Sequence, residues 1–235
     1  MISVALLGSY VYGAGVFEYF SDIDTTFADR FSNYRSENLT TLFFWITLLG
    51  KPQSLAIFGV AVTIVLLRYR KFAELIAFYI SFLGSSLTVY SLKTIFERAR
   101  PEGALYLERS YSFPSAHAAV AISFYLFLVY LCIRESQNRI FNISLAIGGV
   151  TLALLIGISR IYLGVHYLSD VVVGYIVGLI CALSAAALLK RYCSTYSCPL
   201  QQSSSKSIFI DFFIAVFAVL LFLLYGFFGG FIPPK

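Results

Sequence analysis

Long apolar runs separated by short polar segments dominate the amino-acid sequence. A helix crosses the hydrocarbon core of a bilayer with about 20 apolar residues, within a range of roughly 17–25. Several of the apolar runs reach that length once the Tyr, Thr and Ser residues beside them are counted. The six runs are 54–67, 74–92, 119–133, 143–158, 171–189 and 208–232. This pattern predicts an all-α fold, a polytopic bundle of transmembrane helices.

The two ends of the chain extend this pattern. Residues 1–20 carry three glycines and Glu18, but they lack the basic start and the small-residue cleavage site of a signal peptide. We therefore predict a first transmembrane helix there, which completes a six-helix, membrane-embedded core over 1–190. A polar linker over 191–207 and an additional transmembrane helix within 208–235 are expected to follow.

The longest polar segment, 21–52, mixes Asp, Ser, Asn and Arg with Phe, Leu and Trp45. Such a mixture is typical of an amphipathic helix that lies in the membrane interface, where tryptophan is enriched at the depth of the headgroups. We therefore predict an interfacial helix in this segment.

Composition and charge agree with a membrane protein. Hydrophobic residues make up 59% of the chain and charged residues only 12%, against about 25% charged residues in soluble domains. The net charge of +5 comes with no basic cluster on a soluble domain, so no nucleic-acid partner is expected. The short basic loops are 68–71, 134–139 and 190–191. They fall on one side of the membrane, which the positive-inside rule assigns to the cytoplasm.

Three segments on the opposite side interrupt the apolar pattern with ionisable side chains. The first, KTIFERARP, places Lys93 and Arg100 two helical turns apart on one face, about 10 Å apart along the axis. Pro101 ends or redirects that helix. In the alternative interpretation, Lys93 pairs with Glu97 four residues later and the arginines extend to lipid headgroups.

The second segment, SFPSAHAAVA, resembles the start of a helix, with Ser115 as N-cap and with Ala116 and His117 in the first turn. The free N–H groups and positive dipole at a helix N-terminus attract a phosphate. The small side chain of Ala116 lets an anion approach the backbone closely. A capping or interfacial role for His117 is the alternative.

The third segment, SRIYLGVHYLSD, combines an arginine, a histidine and an aspartate. A helix that begins near Val165 places His166 and Asp170 on one face, where the carboxylate can hold the proton of one ring nitrogen and leave the other nitrogen with a free lone pair. The guanidinium group of Arg160 can bind two phosphate oxygens. The alternatives are an interfacial acid at Asp170 and a headgroup anchor at Arg160.

Taken together, the three segments favour one anion site. All of them lie between consecutive helices at the same membrane face, and they contain both histidines of the chain, His117 and His166. Ionisable groups at membrane depth are rare and by default functional.

The order K-x6-R-P, P-S-x-H and S-R-x5-H-x3-D resembles the three-part signature of the type 2 phosphatidic acid phosphatase superfamily. Its residues here are Lys93, Arg100, Pro101, Pro114, Ser115, His117, Ser159, Arg160, His166 and Asp170. The resemblance covers roughly 20–190, the six-helix core. This chain departs from it at Ala116, where the family most often has glycine. Alanine keeps the backbone N–H and adds one methyl group.

The resemblance implies a metal-independent phosphatase that acts through a phosphohistidine and needs no cofactor. In that mechanism His166 attacks phosphorus and Asp170 holds its far nitrogen, while His117 protonates the leaving oxygen and later takes a proton from water. The expected phosphate-binding groups are Lys93, Arg100, Ser115, Ala116 (through its backbone) and Arg160. Three of these groups are cations, and they take the part that magnesium plays elsewhere.

The expected substrate is a lipid phosphate in the bilayer. Phosphatidic acid, phosphatidylglycerol phosphate, polyprenyl pyrophosphate and lipid A phosphates are the classes that the resemblance offers. The compact loops suggest a bacterial inner membrane protein whose site faces the periplasm or the exterior. The alternatives are a lipid phosphotransferase of the same superfamily and a non-catalytic lipid-phosphate binder or transporter.

Overall fold

The computed structural model describes residues 16–196 and Asp211, and among these it contains helices, turns and loops but no strand. The helices are α1 (Val16–Asn33), α2 (Glu37–Leu48), α3 (Pro52–Arg68), α4 (Phe72–Phe96), α5 (Ala116–Glu135), α6 (Arg139–Tyr162) and α7 (Leu168–Tyr196). The all-α fold that the apolar pattern predicts is confirmed.

Four helices, α4 to α7, are long and apolar enough to cross a membrane. The shorter α2 and α3 reach that length only as a pair, joined at a bend of 44°. Five of the predicted runs lie within α3 to α7, and the chain is an integral membrane protein. The predicted spans over 1–20 and 208–232 fall outside the described residues, apart from 16–20 in α1 and Asp211.

The polar segment 21–52, for which we predict an interfacial helix, forms most of α1 and all of α2. α1 ends at Asn33 and α2 begins at Glu37, because Ser36 is extended and its side chain accepts a hydrogen bond from the N–H of Leu39 at 3.4 Å. Helix α1 packs against α6 and α7, and α2 packs against α6. The segment is therefore part of the bundle.

Helix α5 lies at the centre of the bundle and packs against α4, α6 and α7. Phe78 of α4 and Phe124 of α5 are both buried and meet edge to face, with ring centroids 5.3 Å apart. This is a favourable arrangement for two aromatic rings. The aromatic core holds α4 against α5 below the loop that joins them.

Helix α7 comes unusually close to the first turn of α5 because two residues of α7 that face α5 are glycines. A Cβ atom at Gly174 would lie 2.6 Å from the carbonyl oxygen of Ser115, and one at Gly178 would lie 2.2 Å from that of Ala119. Only glycine permits this approach. It sets the N-terminal ends of α5 and α7 side by side, where the backbone N–H of Ser115 donates to the carbonyl of Asp170 at 2.9 Å.

The far end of α7 also differs from expectation. The helix continues to Tyr196, so residues 191–196 of the predicted polar linker are helical. The rest of that linker, 197–207, lies outside the described residues.

Candidate active site

The three segments singled out in the sequence meet at one end of the bundle. The loop after α4 carries Arg100, α5 begins beside it, and the turn between α6 and α7 carries His166. One guanidinium nitrogen of Arg100 lies 3.2 Å from Nε2 of His166 and 2.6 Å from the carbonyl oxygen of Val165. The predicted convergence is therefore observed.

Local structure differs from prediction at two of these segments. Helix α4 ends at Phe96 and Glu97 adopts a left-handed conformation, with φ of 44°, so Arg100 does not share a helical face with Lys93. Helix α7 begins at Leu168, three residues later than predicted, so His166 precedes it. The chain reverses there at Gly164, whose φ of 71° suits glycine.

His166 is buried, and each of its ring nitrogens contacts a side chain that orients the ring. Its Nδ1 lies 3.4 Å from Oδ2 of Asp170, and its Nε2 faces Arg100 at 3.2 Å. A guanidinium group can only donate, so Nε2 accepts and the ring proton is on Nδ1. Burial lowers the pKa of His166 to about 4, against an opposing contribution from Asp170. The imidazole is therefore neutral at pH 7, with its lone pair on Nε2.

Asp170 accepts hydrogen bonds on both oxygens from groups other than His166. Its Oδ2 accepts from the hydroxyl of Ser112 and from the N–H of Tyr167, the latter at 2.9 Å. Its Oδ1 accepts from Arg98 at 2.6 Å. These contacts hold the carboxylate of Asp170 in position beside His166, although His166 itself lies in the turn before α7.

Two predicted phosphate-binding arginines share a carboxylate. Glu108 binds Arg160 through Oε1 and Arg100 through Oε2, the latter at 2.8 Å. Arg160 is completely buried and also donates to Thr47 at 2.9 Å and to the hydroxyl of Tyr106. Burial alone would raise the pKa of Glu108, but Arg160 and Arg100 hold it below its usual value. An ionised two-oxygen anion therefore sits between the two guanidinium groups.

Lys93 and Ser115 make local contacts in this structure. The ammonium group of Lys93 donates to the carbonyls of Tyr111 and Ser112, the latter at 3.2 Å. No ion pair between Lys93 and Glu97 occurs among the described residues. Ser115 is the N-cap of α5, as predicted, and its hydroxyl accepts from the N–H of Ala118 at 3.5 Å.

His117, in the first turn of α5, is buried and its Nε2 has no hydrogen-bond partner. Nε of Arg160 is also buried without a partner. The backbone N–H of Ser115, two residues before His117, donates to the carbonyl of Asp170 at 2.9 Å, so the first turn of α5 lies beside the start of α7. Buried polar atoms are rarely left unsatisfied, and a bound anion would satisfy these.

A sequence model of the PAP2 superfamily matches residues 74–193, more than half of the 235 residues. The chain belongs to the PAP2 superfamily. The matched range contains all three signature segments, so the resemblance drawn from them is confirmed.

A curated relative and two solved structures are similar to this PAP2 chain. Phosphatidylglycerophosphatase B of Bacillus subtilis is 37% identical over 117 residues, which make up 48% of this chain and 56% of that protein. The chain thus spans little more than half the length of this relative. The crystal structure of a transmembrane PAP2-type phosphatidylglycerolphosphate phosphatase from Bacillus subtilis aligns with a TM-score of 0.68 and 26% identity, over 81% of this chain and 96% of that one.

LpxE of Aquifex aeolicus is a second solved structure with this fold. It aligns with a TM-score of 0.57 and 25% identity, over 70% of this chain and 95% of that one. Both structures share the helical fold of this chain.

Residues that contact the site and were missed in the sequence include Ser112, Arg98, Asp24 and Glu108. Arg98 and Ser112 belong to signature-bearing segments, and their charge and hydroxyl were signals of the same kind as those used for Arg100 and Ser115. Asp24 lies 146 positions before Asp170, and no local pattern predicts its approach to the site. No group of three or more potential metal ligands of the His, Cys, Asp or Glu type occurs among the described residues.

Proposed function

We propose that this protein is an integral-membrane phosphatase that hydrolyses the phosphomonoester or pyrophosphate headgroup of a lipid. Membership of the PAP2 superfamily and the similarity to phosphatidylglycerophosphatase B support this reaction class. The observation that carries the proposal is the contact of 3.2 Å between Nε2 of His166 and Arg100. It sets a nucleophilic lone pair beside a guanidinium group that, with Arg160, already holds a carboxylate.

In the first half-reaction, Nε2 of His166 forms a bond to phosphorus and the bond from phosphorus to the leaving oxygen breaks. The proton on Nδ1 stays, so the ring becomes positive and Asp170 stabilises it. His117 donates a proton to the leaving oxygen, and the dephosphorylated lipid departs.

In the second half-reaction, water replaces the lipid. His117, now deprotonated, takes a proton from the water as its oxygen bonds to phosphorus. The bond between phosphorus and Nε2 breaks, the electron pair returns to His166, and inorganic phosphate leaves. Both histidines then have their starting protonation states.

Charge on the transferred group is balanced by fixed cations and N–H groups, the main source of catalysis in phosphoryl transfer. We assign Arg100 and Arg160 to the equatorial oxygens, in the position that the Glu108 carboxylate holds in this structure. Lys93 and Ser115 complete the shell, together with the N–H groups near Ala116, because first-turn N–H groups have no acceptor within their own helix. These cations make the reaction independent of a metal ion.

The arrangement of loops supports a site that faces away from the cytoplasm. The site loops, 97–115 and 163–167, lie at the end of the bundle opposite the basic loops 68–71 and 134–139. We infer that, in a bacterial inner membrane, the phosphate site faces the periplasmic or exterior side, at the depth of the lipid headgroups.

The test is phosphate release by the purified protein in detergent. The panel is phosphatidylglycerol phosphate, phosphatidic acid, a polyprenyl pyrophosphate and a lipid A phosphate, with and without excess EDTA. We expect release from at least one lipid, undiminished by EDTA, and none from a His166→Asn variant. Lack of release from every lipid would refute the proposed function, transfer of phosphate to another lipid would indicate a phosphotransferase, and loss on chelation that magnesium restores would refute metal independence.

A further inference from the structure

A line of buried charges runs from α1 to the ring of His166. Oδ2 of Asp24 lies 2.7 Å from one terminal nitrogen of Arg98, and the other terminal nitrogen lies 2.6 Å from Oδ1 of Asp170. Oδ2 of Asp170 faces Nδ1 of His166. All four side chains are less than a tenth exposed. Helix α1 thus reaches the nucleophile although it lies outside the range matched by the family.

Arg98 is held on every side. Its guanidinium carbon lies 4.5 Å from the ring centroid of Phe17 and 4.2 Å from that of Tyr167, and a nitrogen donates to the hydroxyl of Ser169 at 2.8 Å. Guanidinium groups stack favourably on aromatic rings. The carboxylate of Asp170 therefore meets a cation that is fixed in position.

Asp24 anchors the start of α7 from outside that helix. Its Oδ1 accepts from the backbone N–H of Ser169 at 2.9 Å, and its Oδ2 accepts from the hydroxyl of the same residue at 2.6 Å. Ser169 lies in the first turn of α7, where N–H groups have no acceptor within the helix. Asp24 of α1 thus caps the N-terminus of α7 through Ser169, the residue that precedes Asp170.

The charges of the line suit the reaction. Arg98 alone would cancel the negative charge of Asp170, because an ion pair with one partner is neutral. Asp24 restores a net charge of −1 to the three buried groups. When Nε2 of His166 bonds to phosphorus, the ring gains one positive charge, and the four groups together become neutral. Buried charges are stable only when they are compensated in this way.

We propose that Arg98 and Asp24 are positioning residues for phosphoryl transfer: they fix the Asp170 carboxylate against His166 and supply the net charge that matches the imidazolium. This inference rests on the proposed function. It assigns a role to α1, whereas the family's signature lies entirely in later segments.

The test is the rate of phosphoenzyme formation in Arg98→Met and Asp24→Asn. We expect kcat to fall roughly 10–100-fold in Arg98→Met, and KM to change less than about 3-fold. A loss of that size is typical when the hydrogen-bond partner that orients a metal-binding histidine is removed. Arg98→Lys keeps the charge and should recover part of kcat. Arg134→Met is the matched control, because Arg134 also neighbours an aromatic ring and a carboxylate, Tyr130 and Glu74, at the opposite end of the bundle.

A double-mutant cycle separates positioning from mere packing. In an Asp170→Asn background, Arg98→Met should lower kcat by less than about 3-fold, because Arg98 acts through Asp170. An equal loss in both backgrounds, or a loss confined to thermal stability while kcat stays at the wild-type value, overturns the inference. Should Arg98→Met not fold, Asp24→Asn and Arg98→Lys carry the same cycle. A wild-type protein without activity would instead refute the proposed function itself.

Discussion

The two nitrogens of the His166 ring face two clusters built from guanidinium and carboxylate groups in opposite proportions. On the Nε2 side, Arg100 and Arg160 share the carboxylate of Glu108, which belongs to a loop. On the Nδ1 side, Arg98 lies between Asp24 and Asp170, which belong to helices.

The two clusters differ in whether another anion can displace their carboxylates. Glu108 keeps 22% of its side chain exposed, whereas Asp24 and Asp170 are at most 1% exposed. A loop carboxylate with access to solvent can give way to a phosphate of similar charge. The carboxylates of Asp24 and Asp170 cannot be displaced in this way, because they belong to helices and are held by Arg98, which stacks on aromatic rings. We therefore interpret the Nε2 cluster as an exchangeable anion site and the Nδ1 cluster as a permanent support.

The largest effect is expected at the proton donor. In the proposed mechanism His117→Gln removes the acid of the first step and the base of the second, so turnover of a lipid phosphate should fall about 10²–10⁴-fold. With a good leaving group such as p-nitrophenolate, phosphorylation should partly recover while hydrolysis does not. Rapid-quench measurements separate the two steps, and equal losses for both leaving groups would contradict the role.

The next effect probes the exchangeable site. Arg160→Met removes a fixed cation from the transferred group, and kcat/KM should fall about 10²–10³-fold, as when one donor to a developing anion is removed. Steady-state kinetics with the lipid identified in the panel provide the measurement. An Arg160→Lys variant keeps the charge but loses the bidentate geometry. Its kcat/KM is expected to lie between those of the wild type and Arg160→Met. Wild-type kinetics in Arg160→Met would place the phosphate elsewhere.

A smaller effect, of opposite sign, distinguishes the two clusters directly. Glu108→Gln removes the resident anion from Arg100 and Arg160, so inorganic phosphate should inhibit the variant more strongly, by a few-fold to about tenfold. Asp24→Asn makes the same chemical change in the permanent cluster and should lower kcat without tightening phosphate inhibition. Inhibition constants for both variants test the comparison, and identical behaviour would abolish it.

The smallest effect is on pH dependence near neutrality, where we expect none from His166. In the proposed mechanism the neutral ring is the nucleophile, and its pKa of about 4, against a usual value of 6.5, keeps the ring neutral down to about pH 5. Once the ionisation of the substrate and of the proton donor His117 is corrected for, His166 should therefore leave kcat/KM level from pH 7 to about pH 5 and lower it about tenfold per unit below pH 4. A decline that begins near pH 6.5 would show that burial does not control this ring.

Residue spacing and helix-start chemistry predict the part of the site that depends on local structure. Ser115 caps a helix whose first residues are Ala116 and His117, and the four-residue spacing of His166 and Asp170 brings them together even though one precedes the helix. Apolar run length likewise predicts the spans α4 to α7.

What could not be predicted depends on long-range packing. Periodicity alone places Lys93 and Arg100 on one helical face, but the left-handed Glu97 ends α4 and turns Arg98 inward instead. The approach of Asp24 to Ser169 follows from the packing of α1 against α7, a contact between residues 145 positions apart. No window along the chain contains both partners.

The central claim is that Nε2 of His166 bonds to phosphorus, and trapping that bond is its most direct test. The His117→Gln variant is mixed with a 32P-labelled substrate that has a good leaving group, quenched in alkali, digested and analysed by mass spectrometry. We predict a phosphohistidine on the peptide that contains His166, absent from His166→Asn. A labelled residue other than His166, or label retained in His166→Asn, would contradict the account.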